Sequence, residues 1–126
     1  MSFASDMKKW AAKTKMSEET AIRSATISIS SEIMDRTPVA TGRLRGNWIP
    51  SINAPIIKQT DNTTPLKAEM QATAAQATGK VFYLVNSLDY ARKIEYEGWS
   101  KIKAPQGMVR ISVQNFKEAL RKAIKG

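Results

Sequence analysis

The sequence predicts a single α+β domain, because helical and strand-like patterns both occur within a chain of only 126 residues. Apolar residues recur at helical spacing near both ends, in the segments 17–37 and 109–124. Two short runs typical of strands lie between them, at 46–53 and 80–85. The hydrophobic content of 42% is close to the globular norm, so the chain has enough apolar side chains for one core.

The N-terminal segment predicts a helical arm over 1–16, followed by one α+β domain over 17–126. Phe3, Met7, Trp10 and Ala11 lie at helical spacing, and lysines fill much of the remaining helix surface. A terminal helix is ordered only where something holds it. Two alternatives are open: the arm rests on its own domain, or it binds a partner or a second copy.

The segment 17–37 predicts a long amphipathic helix. Ser17 is a suitable N-cap, and the sequence Thr37-Pro38 ends the helix because proline disfavours helical geometry in the preceding residue. Ile27 and Met34 lie roughly 120–140° from the main apolar stripe at about 100° per residue. They are therefore either sandwiched within the domain or in contact with a neighbour. The main stripe comprises Ile22, Ala25, Ile29 and Ile33.

The middle of the chain predicts turns, strands and a loop. Gly42 is placed where a tight turn requires a positive φ, and Pro50 puts the strand 46–53 at a sheet edge or at a bulge. The segment 54–65, rich in Asn, Thr and Pro, predicts a mobile loop. A helix over 66–78 ends at Gly79, and the apolar run 80–85 predicts a central strand with both faces covered.

The last third of the chain predicts two helices. Asn86 and Ser87 can cap a helix over 88–97, and Pro105 lies in the loop that follows. The final helix has a continuous apolar stripe, and its last turns are rich in lysine and arginine. The stripe is formed by Val109, Val113, Phe116, Leu120 and Ile124.

The composition excludes the most familiar catalytic and metal sites. The chain contains no His and no Cys, which rules out Ser-His-Asp and Cys-His nucleophiles, the usual zinc sites and disulfides. Glu95 and Glu97 are two residues apart on a predicted helix, so they do not face each other as an acid–base pair would. We therefore expect no enzymatic activity, no cofactor and no metal. Four acidic residues are further accounted for by helical i,i+4 pairs: Glu19–Arg23, Glu32–Arg36, Asp89–Lys93 and Glu118–Lys122.

No segment of the sequence predicts membrane contact or export. The first residues lack a long apolar run, and no later window approaches the roughly 18 apolar residues that a spanning helix needs. The absence of cysteine gives no sign of an oxidising compartment, so we expect synthesis in the cytoplasm.

The net charge of +9 predicts an anionic partner, either nucleic acid or an acidic protein surface. Arg43 and Arg45 alternate with Leu44, so in an extended segment the two arginines would share one face. That face is either a solvated basic edge or a contact with a subunit or with DNA. The sequence contains neither a helix-turn-helix pattern nor the signature of an RNA-binding sheet.

Two blocks of sequence, taken together, resemble a known family. The first is TPVATGRLRGNW (37–48), and the second is VNSLDYARKIEYEGWS (85–100) followed by APQGMVR (104–110). In this order they are similar to the neck and tail-completion proteins of long-tailed, siphovirus-like bacteriophages and prophages. Ala40 departs from the family pattern, which usually has Asp there, and Glu97 is an insertion before Gly98.

The resemblance implies a structural virion protein without catalytic residues. It would form a ring, commonly a hexamer, on the tail tube or between the tube and the head connector, and complete the tail. Its fold would pack a small antiparallel sheet against a long N-terminal helix and a C-terminal helix. The alternatives are a tail terminator ring that caps the tube and, less favoured, a sequence-independent DNA-binding protein.

The resemblance also suggests partners and roles for particular residues. The partners would be further copies of the chain, the tail tube or terminator protein, the head connector or head-closure protein, and DNA in the lumen. We expect a first set of residues at oligomer or partner interfaces: Ile27, Met34, Arg43, Arg45, Trp99, Ser100, Pro105, Met108 and Arg110. A second set would shape the fold: Pro38, Gly42, Trp48, Tyr90, Glu95 and Gly98.

Overall fold

The computed structural model describes residues 3–37, 42–88, 91, 95 and 109–125. These residues form an α+β domain, which confirms the predicted fold class. Its helices are α1 (Phe3–Thr14), α2 (Glu18–Arg36), α3 (Lys67–Ala75) and α4 (Val109–Lys125). A short 3₁₀ helix (Arg45–Asn47) precedes strand β1 (Ile49–Ile52), and β2 (Phe82–Val85) follows α3.

The sheet is an antiparallel pair in which Ile49 lies opposite Val85 and Ile52 lies opposite Phe82. Pro50 pairs with Leu84, and the predicted edge position is confirmed because the sheet has two strands in the described part of the chain. A central position for β2 is not found among these residues. Its apolar run is explained instead by one face, where Phe82 and Leu84 pack against the core.

Helix α2 separates two apolar clusters. The first is the main core, where Met34, Trp48 and Met70 from α2, the following turn and α3 pack together. The second joins α2 to α1 and α4 through small side chains that allow the helices to approach closely. The second cluster consists of Met7, Ala11, Ala21, Ala25 and Leu120.

The orientation of α2 corrects two sequence-based expectations. Met34 is 0% exposed in the main core, so its prediction as an interface residue is wrong. Ile27 is partly buried against the same cluster, which corresponds to the alternative that its side of the helix is covered within the domain. Conversely, Ile22 was expected in the core stripe but is 55% exposed. Helix α2 is covered on two sides by other elements of its own chain, and Ile22 lies on the uncovered surface between these two sides.

Helix α1 packs against α2 and α4 of its own chain, which is the first of the two alternatives for this segment. The contacts show that α1 and α4 run in the same direction. The Phe3 and Phe116 ring centroids are 6.1 Å apart, Asp6 Oδ2 lies 3.6 Å from Arg121 Nε, and Lys13 Nζ donates to the Ile124 carbonyl at 2.9 Å. Phe116, Leu120 and Ile124 of the predicted α4 stripe pack in the second cluster, whereas Val109 is 36% exposed.

The turn between α2 and β1 holds the long loop that follows β1. Gly42 has φ +76°, as the sequence predicts. The Asn47 side chain is 0% exposed; its Nδ2 donates to the carbonyls of Arg43 (2.7 Å) and Thr60 (3.0 Å), and its Oδ1 accepts from the Thr60 N–H (2.8 Å). The segment 54–65 contains no helix or strand, but it is anchored to this turn at Thr60 rather than detached from the domain.

We predict that Asn47→Ala destabilises the domain by about 3 kcal/mol, because it removes three hydrogen bonds, including those of the part-buried Arg43 carbonyl and Thr60 N–H. Asn47→Asp should cost a similar amount, since its second carboxylate oxygen would face two carbonyl oxygens in a buried site. Urea unfolding measures both losses. Gln71→Ala, an exposed change in α3, is the control and should stay within about 0.5 kcal/mol. Wild-type stability of Asn47→Asp would show that the amide donors are not what holds the loop.

Candidate interaction surfaces

Arg45 lies in the 3₁₀ helix rather than on an extended strand, and its side chain caps the C-terminal end of α2. Its Nε donates to the Thr37 carbonyl (2.7 Å) and its Nη2 to the Asp35 carbonyl (3.0 Å). Trp48, buried as its structural role requires, donates from Nε1 to Thr37 Oγ1 at 2.9 Å. These donors satisfy carbonyl and hydroxyl oxygens at a helix end, where no further intrahelical donor is present.

The expected common face of Arg43 and Arg45 is therefore not formed. The segment turns into a 3₁₀ helix, so the alternation that would align the two side chains does not apply. The Arg43 Nε donates to the Thr60 carbonyl at 3.1 Å and lies 4.0 Å from Asp61 Oδ1. Both guanidinium groups make contacts within the domain, which weakens their assignment to a partner or to DNA.

Arg110 and Glu95 form a cap at the start of α4. The Glu95 carboxylate accepts from the N–H groups of Val109 (2.8 Å) and Arg110 (3.0 Å), and from Arg110 Nε (3.1 Å). Arg110 Nη2 also donates to the Glu95 carbonyl. A carboxylate at a helix N-terminus satisfies free N–H groups and interacts well with the helix dipole. Glu95 was predicted to shape the fold, which agrees with this capping role. Arg110 was predicted at an oligomer or partner interface, but here it pairs with Glu95.

Several predicted site residues lie outside the described residues. These are Trp99, Ser100, Pro105 and Met108 of the predicted interface, and Pro38, Tyr90 and Gly98 of the predicted scaffold.

A groove of about 500 Å³ lies between α2, the C-terminal end of α3 and the turn before β2. Its apolar rim includes Ile22 and Val81, which are 55% and 56% exposed. Arg23 lines the groove with a buried Nε that has no hydrogen-bond partner, and its Nη2 lies 3.4 Å from Thr78 Oγ1. The predicted Glu19–Arg23 pair is not among the ion pairs of the described residues. The helical spacing of apolar residues in α2 did not indicate this groove, because that spacing predicted a buried Ile22.

A second exposed apolar feature belongs to the loop after β1. Ile57 is 75% exposed and its neighbour Ile56 is 43% exposed. Isolated surface isoleucines are ordinary, but two adjacent ones on an anchored loop form a protruding apolar contact.

The basic residues of α1 and α4 form a third surface, hereafter the α1–α4 surface. Its lysines and arginine lie beside the helix junction: the Lys117 Nζ is 5.9 Å from the Phe3 ring centroid, and Arg121 approaches Asp6. The Asp6 side chain is nearly buried, and sequence reasoning missed this carboxylate entirely. The surface is formed by Lys9, Lys13, Lys117, Arg121 and Lys125.

In the part of the chain that the structure describes, no three His, Cys, Asp or Glu residues cluster closely enough to hold a metal ion. Among the same residues, no helix combines the length and apolar character needed to cross a membrane. No protein-family model matches the chain, and comparison with curated proteins and with solved structures finds no significant similarity.

We predict that Glu95→Ala destabilises the domain by about 2 kcal/mol, since two N–H groups of α4 lose their acceptor. Arg110→Ala should cost less than about 1 kcal/mol, because the Arg110 side chain is 53% exposed and solvent screens its ion pair. Urea unfolding compares the two variants, with Glu118→Ala on the exposed side of α4 as the control. Equal losses from the two variants would show that the ion pair, and not the cap, provides the stabilisation.

Proposed function

We propose that this protein is a structural virion component of a long-tailed bacteriophage or prophage, forming a ring at the head–tail interface or at the top of the tail tube. The observation that carries the proposal is the order and spacing of the two sequence blocks, 37–48 and 85–110. In this proposal the chain has no enzymatic activity. It is made in the cytoplasm of the bacterial host and incorporated into the virion neck or tail.

The structural roles of the motif residues support this proposal. Gly42 and Trp48 shape and bury the turn after α2, and Glu95 caps α4. These are scaffold roles, as expected where a family shares a fold and an assembly task. The α+β fold also agrees with the architecture that the resemblance implies.

A closed ring requires two different patches on each subunit, because its contacts are head-to-tail. The groove beside Ile22 and Val81 is a concave apolar patch, and Ile56 and Ile57 form a protruding one. These two features supply candidates for the two sides of a subunit contact. The segment 99–110 remains a further candidate for the subunit boundary.

Tail completion at the neck is the favoured position, and a terminator ring on the last tube disc is the alternative. Both need a small ring-forming domain with two axial faces. The partners would be the tail tube or terminator protein on one face and the head connector or head-closure protein on the other.

The proposal is tested in the phage or prophage whose genome encodes this chain. Mass spectrometry should find the chain in purified virions, and electron microscopy of a deletion strain should show full heads separated from tails. Tails of abnormal length in the deletion strain would favour the terminator ring instead. Absence of the chain from mature particles would contradict both positions.

We predict that Ile22→Asp and Val81→Asp prevent assembly without unfolding the subunit. Both side chains are more than half exposed, so folding should be little affected. A charge buried in an apolar contact costs about 2 kcal/mol or more, which would weaken each subunit contact about thirtyfold. Complementation of the deletion strain measures the loss of infectious particles, and circular dichroism measures folding.

Gln71→Asp is the matched control, since it adds the same charge to an exposed position of α3 outside the groove lining. Full complementation by folded Ile22→Asp and Val81→Asp proteins would show that the groove is not a subunit contact.

A further inference from the structure

We propose that the α1–α4 surface binds the phosphate backbone of duplex DNA without reading its sequence. The inference goes beyond the virion role and does not depend on it, because it rests on the charge distribution of the isolated chain. It also places the DNA contact away from Arg43 and Arg45, where the sequence suggested it, because cations are most numerous on α1 and α4.

Positive charge is concentrated on α1 and α4. Asp6 and Glu118 are the acidic residues of these two helices, and Asp6 is only 2% exposed. Glu118 is therefore their exposed carboxylate. Besides Arg110, which pairs with Glu95, the two helices and the adjoining residue 15 carry eight cations: Lys8, Lys9, Lys13, Lys15, Lys117, Arg121, Lys122 and Lys125.

The cations beside the junction form two rows. Lys117, Arg121 and Lys125 are four residues apart on α4, and Lys9 and Lys13 are four apart on α1. Residues at this spacing lie on one helix face, with a rise of about 6 Å between them. The rows flank the same junction, since Lys13 reaches the Ile124 carbonyl and Arg121 reaches Asp6. The helices run in the same direction, so the rows run side by side.

A regular polyanion fits these rows better than a membrane or a protein surface does. Met7, Ala11 and Leu120 point into the second cluster and are buried, so the surface lacks the apolar face with which amphipathic helices enter a bilayer. Protein interfaces have cores depleted in charge, whereas this surface carries a row of cations on each helix. Duplex DNA presents phosphates at regular short intervals, so several evenly spaced cations can be neutralised at once.

The experiment measures fluorescence anisotropy of two labelled 30-base-pair duplexes of unrelated sequence, between 50 and 200 mM NaCl. The wild-type chain should bind both duplexes equally, with affinity that falls steeply as salt rises. Lys117→Gln/Lys125→Gln should weaken binding at least about tenfold at 50 mM salt and reduce the slope of log K against log salt by about two.

The matched control is Lys58→Gln/Lys80→Gln, which removes the same charge from exposed positions outside α1 and α4 and should bind nearly as wild type. Circular dichroism establishes that each variant is folded. A second pair, Lys9→Gln/Lys125→Gln, should reproduce the loss if the first pair fails to fold.

Three results would overturn the proposal. One is equal weakening of DNA binding by the test and control pairs of substitutions, because DNA would then respond to net charge and not to the α1–α4 surface. Another is the absence of wild-type binding at 50 mM salt. The third is binding of polyglutamate, or of vesicles containing phosphatidylserine, at least as tight as binding of DNA, because the partner would then be an acidic protein or a membrane.

Discussion

The C-terminal end of α2 must be supplied with hydrogen-bond donors, and the arrangement of the following turn depends on this requirement. The carbonyl groups of the last turn of a helix have no intrahelical donor. Here Arg45 donates to the carbonyls of Asp35 and Thr37, while Thr37 Oγ1 donates to the Ile33 carbonyl and accepts from Trp48 Nε1. These hydrogen bonds join Arg45 and Trp48 to the end of α2, and Trp48 and Leu44 pack beside Met34 in the main core.

The same turn organises the part of the chain that has no regular structure. Asn47 is adjacent to Trp48, so fixing the tryptophan also fixes the amide that holds Thr60. Gly46 is packed so closely against the Asn62 backbone that a Cβ would overlap it. Thr37 and residues 42–48 therefore close the end of α2, lead into β1 and anchor the loop 54–65. Ile56 and Ile57 protrude from a loop with a fixed base, which reduces the conformational entropy that a partner would have to remove.

Local sequence patterns predicted most of the helices, strands and turns, but they did not predict the contacts between distant parts of the chain. The Ser17 cap, the positive φ of Gly42 and the stripe of α4 are each determined by nearby residues, so they could be read from the sequence. The orientation of α2 could not, because periodicity gives angles around a helix and not the neighbours that cover each angle. The pairs Asp6–Arg121 and Glu95–Arg110 join distant parts of the chain, and no local spacing indicates them. The predicted common face of Arg43 and Arg45 was wrong because the prediction assumed an extended backbone, and the segment forms a 3₁₀ helix.

Helix α2 separates the two surfaces to which the proposals assign different partners. Ala21 and Ala25 lie on the side that carries α1 and α4, whereas Ile22 and Thr26 line the groove on another side of the same helix. The groove combines an apolar rim with side chains of both charges, so a subunit contact there would be stabilised mainly by desolvation of the rim. The α1–α4 surface is mostly cationic, so the DNA contact proposed there would depend on counterion release and on salt. Because α2 lies between the two clusters, we expect an exposed substitution on one surface to leave the other intact. The proposed subunit contact and the proposed DNA contact can therefore be tested separately.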